Sequence, residues 1–560
     1  LAPRRLAGWA AGLLAVYLLL LLGGVIPFSL NKGRVTYLVE ALYPVTGSWV
    51  LDGSLVSLAV SLVVAGCRGW RPALVLVALL LPASVLLSAA PAWAVAAGLA
   101  MLSSYAVSLA LSGGCSEGLV DAASAAIILV EALAVGATLA YLASPRRLLR
   151  VAEKAWLLER RLWSPVAALA PPLLVAAGTA WLVSTLLPGA AGWVERRLGV
   201  LRRLRALAPR GGGGGCAAGP YWLPLAVLYA VFLVAIPHLP TVNPRGLPVS
   251  VDTFYYTAFV VYAEKHGLLE ALHKFAGMAR PLYLACLYAL WRLLGVSPFT
   301  LFDIIHPVVS GALLAAASLY VARRRGGVCW AGYASVLAVA GGWYATFLLS
   351  GFQANSVALP LALLYFAASS WRWLAADMVL TALVHPWTHA VFTAGLALDR
   401  LRAGDRGGAA RALVLGASAL LIAASVSALF GGSLFGSVAR PLLNSAQPLP
   451  RSGLYSGLML WSWGSLLAAP WMMLAAASPL YTPAHAVLAA TGPMLLFVDA
   501  VVVHRLVLDT PLWLAAASLL PRLPRRLRAA LLLASLAGGL YAAYSAKPLA
   551  GELWWRILAG

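Results

Sequence analysis

Long apolar runs, joined by short polar and arginine-bearing segments, recur from one end of the chain to the other. Before residue 190 they lie near 7–28, 50–66, 73–90, 92–112, 121–143 and 167–187. After residue 219 they lie near 220–237, 304–322, 327–343, 346–368, 374–398, 410–430, 455–477, 484–503, 507–520 and 529–546. A membrane-spanning helix needs roughly 20 apolar residues. The pattern therefore predicts an all-α, polytopic integral membrane protein, multi-pass in the cell membrane. The run at 7–28 follows Arg4 and Arg5, is longer than the apolar core of a signal peptide, and reads as the first span.

Three stretches depart from the plain spanning pattern. From 258 onward, Glu264, Lys265, His266, Glu270, His273 and Lys274 interleave with apolar residues at helical spacing. That predicts an amphipathic helix along the membrane surface. The segment 281–295 is helical in pattern but too short to cross. It is expected to be a juxtamembrane helix on the outer face, with 304–322 as the span that ends at Arg323, Arg324 and Arg325. The run 374–398 has basic residues at both ends, so it should fold as two short helices. The turn is expected at HPWTH (385–389), where Pro386 breaks the helix.

Composition strengthens the membrane reading. The chain has 560 residues, of which 62% are hydrophobic and 10% charged, whereas soluble domains carry about 25% charged residues. The net charge is +22. In a soluble domain that would point to nucleic acid. Here the arginines cluster in short joints between apolar runs, where they orient spans and meet anionic lipid, so membrane lipids and not nucleic acid are the expected partners. Five scattered cysteines form no C-x-x-C pair and indicate neither a disulfide frame nor a zinc site.

Charge also divides the chain. Residues 195–210 read ERRLGVLRRLRALAPR, and Gly211 to Gly215 follow. This is a linker on a membrane surface. It separates an N-terminal multi-span module, 1–190, from a second module, 220–560, with 191–219 between them. The basic segment 146–161 fits six plain crossings of the first module poorly. Either one run is re-entrant, near Pro171 and Pro172, or the basic segment lies flat outside. Glu131, inside an apolar run, is that module's single candidate for chemistry.

In the second module, Asp252 follows the first span on the outer side. It is a candidate base, or simply the cap of a helix starting at Thr253. Asp303 and His306 open a span and read as an interfacial pair. His385 and His389 fall at the outer turn. They would bind zinc only with a third ligand on one helical face, which Pro386 interrupts. Arg280, Arg440, Arg451 and Arg505 are all placed outside, against the usual bias, which suits recognition of phosphate.

Taken in order, Asp252 in VDTFYY, Arg280-Pro281-Leu282-Tyr283, Leu294 to Ser297, Arg323 to Arg325 and the late stretch HRLVLDTPLWLAAA (504–517) resemble the GT-C superfamily of membrane glycosyltransferases. The resemblance is to the protein O-mannosyltransferases and the lipid A aminoarabinose transferase in particular, and covers about residues 220–560. It implies a GT-C-like transferase module that moves a sugar from a polyprenyl-phosphate donor to an acceptor glycan, lipid or protein on the extracytoplasmic face, inverting the anomeric centre. It implies Asp252 as base, Arg505 and Arg280 on the donor phosphate, and Tyr255, Tyr256, Tyr283, His385, His389 and His504 lining the site. Many members carry a paired acid. Asp252 stands alone between Val251 and Thr253, so no metal site is expected, although a divalent ion is left open. No other cofactor is implied, the lipid-phosphate sugar being substrate. Two other classes fit the pattern: a polymerase or ligase acting on polyprenyl-diphosphate-linked oligosaccharides, and a transporter or flippase.

Overall fold

The structure, a computed structural model, describes residues 176–187, 222–238, 246, 248–250, 252–275, 280–326, 328–340, 344, 353–433, 482–496 and 509–523, with 528, 531, 532, 535 and 536. Most of the N-terminal module, including Glu131, lies outside the described residues. So do the linker 191–219, the run 455–477, Arg440, Arg451, His504 and Arg505. Among the described residues all regular structure is helical and no strand occurs.

The first described helices are α1 (Ala176–Leu186) and α2 (Trp222–Ala235). Where one amphipathic helix is expected there are two, α3 (Thr253–His266) and α4 (Leu268–Phe275). Gly267 separates them at φ 91°, a backbone angle that glycine adopts at little cost. α4 buries Ala271 and Leu272 and turns Leu269, Glu270, His273 and Lys274 outward. α5 (Pro281–Leu294) starts on a proline and stops at Gly295, φ 62°. At ~1.5 Å per residue it is about 21 Å long, short of the ~30 Å hydrocarbon layer.

The next helix begins at Pro298 and not at 304. Ser297 accepts the Thr300 N–H at 3.0 Å, and Pro298 sits in the first turn; both are strong start signals. The chain passes through a π-helical turn, Leu301–Ile305, into α6 (His306–Gly326). There follow α7 (Val328–Val339), α8 (Gln353–Leu364), α9 (Trp371–Val384), α10 (Pro386–Arg402), α11 (Arg406–Leu429), α12 (Pro483–Thr491) and α13 (Leu512–Leu519). α6 lies against α2, α7 and α8, while α10 packs on α11 and α12. Two described helices are long and apolar enough to cross a membrane: Pro298–Arg325 and Arg406–Leu429.

The run 374–398 is a hairpin, as its basic ends require. α9 and α10 meet at His385, whose backbone is extended at φ −153°, ψ 95°. At the far end of the hairpin, the Arg400 guanidinium lies 5.5 Å from the centroid of the Trp371 ring. Arg325 reaches the same end, where it pairs with Asp399 and its Nε donates to the Phe366 carbonyl at 2.9 Å. The bundle thus has an arginine-rich end. His306 and Arg325 sit at opposite ends of α6, about 28 Å apart along its axis.

Candidate functional site

The end of the bundle away from the arginines is organised by a proline. Pro307 has no N–H, so it cannot take a carbonyl from the preceding turn. The chain relaxes into the π turn, in which the His306 N–H bonds back to Leu301 O. Two carbonyls then find partners outside the helix. Phe302 O, five residues before the proline, accepts from Gln353 Nε2 at 3.0 Å. Asp303 O, four residues before it, lies 3.1 Å from His238 Nε2.

The same turn buries the Asp303 side chain. Its carboxylate accepts from the Val249 N–H at 2.7 Å, from the Ser250 N–H at 3.4 Å, and from the Thr253 hydroxyl. A buried carboxylate is tolerated only with such donors. The three bonds clamp the segment that enters α3 and so fix the position of Asp252, one residue before the helix. Asp252 occupies the capping position, but its side chain makes no capping bond. It is half-buried.

Asp252 shares its surroundings with Arg280 and two phenols. Tyr256 is buried, with the Arg280 guanidinium and the Ala354 backbone in hydrogen-bonding reach of its hydroxyl. Burial pushes its pKa up to about 12, further raised by Asp252 and opposed by Arg280. Tyr255 feels the same groups. Burial raises its pKa, and its hydroxyl donates to Phe275 O at 3.3 Å. Tyr283 crosses the Tyr256 ring edge-on at 6.1 Å, and its hydroxyl lies 2.9 Å from His306 Nε2. Burial raises the Tyr283 pKa as well. All three phenols therefore stay neutral hydrogen-bonding groups near neutral pH. α5, which carries Arg280 at its head, is tied to α3 on the surface through Arg292 and Glu264 at 2.9 Å.

A second polar cluster adjoins the first. Asp509 is buried, and its Oδ1 accepts from Asn355 Nδ2 and from the Thr388 hydroxyl, each at 3.1 Å. His385 Nδ1 accepts the Thr388 N–H at 3.2 Å and lies 2.8 Å from the Thr388 hydroxyl oxygen. The start of α8 joins the two clusters through three consecutive residues. Gln353 reaches Phe302 O, the Ala354 backbone faces Tyr256, and Asn355 reaches Asp509.

The structure thus groups Asp252, Arg280, Tyr255, Tyr256 and Tyr283 in one place and sets His385 in the adjoining cluster. His389 is different. Its Nε2 donates to Gly416 O at 3.0 Å, so its Nδ1 is left to accept from the Tyr365 hydroxyl at 2.7 Å. Both ring nitrogens are committed inside the bundle. Asp303 and His306 are expected to form an interfacial pair. Instead, Asp303 turns to the 249–253 segment and His306 to Tyr283. Gln353, Asn355, Thr388 and Asp509 carry no expectation from sequence reading, although each is a polar residue in or beside an apolar run. Among the described residues no group of three or more His, Cys, Asp or Glu side chains is placed to hold a metal ion.

Comparison with protein-family models, with curated proteins and with solved structures finds no match.

Proposed function

We propose that this chain is a multi-pass membrane glycosyltransferase of the GT-C kind. In this reading it moves a sugar from a polyprenyl-phosphate donor to an acceptor hydroxyl on the extracytoplasmic face of the cell membrane. Support for the membrane comes first from α11. That helix buries Gly408, Ala409, Ala412, Gly416, Ala419, Ala423 and Ser427, and exposes Leu413 at 50%, Val414 at 65%, Leu421 at 68% and Leu429 at 75%. Small residues inside and large apolar residues outside invert the rule for water and suit lipid.

The observation that carries the activity is Asp252. A half-buried carboxylate stands on a clamped segment beside Arg280 and two neutral phenols, at the end of the bundle away from the arginine cluster. Sugar transfer from a phosphate needs a base for the acceptor hydroxyl and cations for the departing phosphate. Asp252 takes the acceptor proton as the acceptor oxygen bonds to the anomeric carbon. The bond from that carbon to the phosphate oxygen breaks, and its electron pair leaves with the phosphate. One displacement inverts the centre. Arg280 answers the phosphate charge, with Arg505 assigned beside it by the family resemblance.

The test is to incubate the purified chain with polyprenyl-phosphate hexoses and a membrane acceptor fraction. Transfer with inverted anomeric configuration supports the reading. Retention of configuration, or no consumption of any lipid-linked sugar, contradicts it.

A further inference from the structure

The arginine-rich end holds an arrangement that the transferase reading does not use. Arg400, near the end of α10, and Arg411, near the start of α11, both lie over Trp371, the first residue of α9. Their guanidinium carbons are 5.5 Å and 5.0 Å from the centroid of that one ring. The ring's quadrupole attracts each of them only modestly.

The acids at this end already have partners. Asp399 is engaged with Arg325. Asp405 accepts the Gly408 N–H at 2.7 Å as the cap of α11 and pairs with Arg400 Nη1 at 3.6 Å, while Arg411 has no carboxylate partner among the described residues. The outward guanidinium nitrogens of Arg400 and Arg411 are the donors that a group from outside can reach, and a phosphate oxygen is the acceptor that the guanidinium fork fits best.

The surroundings say what carries the phosphate. Immediately beyond Arg411 the outward face of α11 turns apolar, at Leu413 and Val414, and stays so through Leu421 and Ile422. Beside Trp371, Trp373 is 71% exposed. Exposed tryptophan and arginine at the foot of an outward apolar face mark the headgroup level of a bilayer. An acyl chain lying on that face would carry its headgroup at Arg411.

We propose that Arg400, Arg411 and Trp371 form a binding site for the phosphate of an anionic lipid in the leaflet at this end of the bundle, its acyl chain lying along the outward face of α11. The site rests on the membrane reading given above and is independent of the transferase activity.

The experiment uses the full chain, delipidated in detergent, with thermal unfolding as the readout. Phosphatidylglycerol, phosphatidylcholine and inorganic phosphate are titrated separately. Phosphatidylglycerol should raise Tm saturably, with phosphatidylcholine and inorganic phosphate giving little. Replacing both residues, Arg400→Gln with Arg411→Gln, should weaken the apparent affinity roughly tenfold or more. Arg400→Lys with Arg411→Lys keeps the charge, loses the fork and should fall between, which keeps the test usable if the glutamine variant folds poorly. Arg324→Gln, a change at an exposed arginine of the same end, should respond as the wild type does. The proposal is overturned if wild type shows no preference for phosphatidylglycerol, or if the glutamine variant binds as well as wild type. An equal response to inorganic phosphate also overturns it, by assigning the site to a soluble phosphate. A chain that stays dispersed without detergent would defeat the membrane reading itself, a result separate from loss of the lipid response.

Discussion

The Thr253 hydroxyl donates to the carboxylate of Asp303, 50 residues further along the chain. Together with the Val249 and Ser250 N–H groups it makes that carboxylate the anchor of the segment presenting Asp252. Asp303 is a positioning residue in this account. Asp303→Ala strands two backbone donors and a hydroxyl, and should destabilise the protein by about 2–4 kcal/mol. Asp303→Asn keeps one acceptor oxygen and should cost less than the alanine change. In a transfer assay, Asp303→Asn should lower kcat with little change in KM, because the proposed base, Asp252, is displaced while the proposed donor contacts remain. Thermal unfolding and steady-state kinetics check the two parts. An Asp303→Ala protein as stable and active as wild type would remove the anchor role.

The buried phenols predict behaviour in base. The Tyr256 pKa is raised by burial to about 12, against about 10 for the unfolded chain. Above pH 10 the unfolded state binds fewer protons than the folded state, so stability falls as pH rises. The contribution is fully present below pH 10 and is lost progressively up to about pH 12. For one group with this shift it amounts to about 2–3 kcal/mol. Tyr256→Phe should therefore flatten the decline in stability between pH 10 and 12. Identical pH profiles for wild type and variant would contradict the burial of this hydroxyl.

Asp509 predicts coupled losses. Thr388→Val and Asn355→Leu each remove one donor to the same carboxylate oxygen, and each should destabilise by about 1–3 kcal/mol. Because the two changes share a partner, their effects should not add. A double-mutant cycle by thermal or denaturant unfolding measures the coupling. Strict additivity would show that the two donors act independently.

Gly416 marks a close approach of α10 and α11. A Cβ there would stand 2.3 Å from Thr393 Cγ2 and 2.9 Å from its Oγ1. Gly416→Ala should cost about 1–3 kcal/mol by overpacking, and it should disturb the bond from His389 to the Gly416 carbonyl. Thr393→Ala removes the clashing atoms, so the double variant should recover most of the loss. Failure of that rescue would place the cause elsewhere.

How much of this was legible in the sequence depends on the range of the interaction. The break at His385 and Pro386 follows from local rules: basic residues at both ends of one apolar run, with a proline between. The shortness of α5 is equally local. The start at Pro298 could have been read from Ser297-Pro298, and the division at Gly267 from the glycine itself. In both places the apolar pattern outweighed the punctuation. Asp252 stands out because it is the acid after the first apolar run of its module. Its anchor does not, since Asp303 acts through atoms 50 to 54 residues away. Asn355, Thr388 and Asp509 meet only when α8, α10 and the entry to α13 are packed together. A one-dimensional pattern shows each of them merely as a polar residue near an apolar run.

The measurement that bears most directly on the central claim is transfer from a polyprenyl-phosphate sugar by the purified protein, wild type against Asp252→Asn. The amide keeps the shape of the side chain and loses its basicity. Asp252→Asn is expected to abolish transfer while donor binding stays close to wild type. Arg280→Ala and Arg505→Ala should instead weaken donor binding by roughly 10- to 150-fold each, the loss of one charge-assisted contact. Equal rates of transfer by wild type and Asp252→Asn would contradict the assignment of Asp252 as the base.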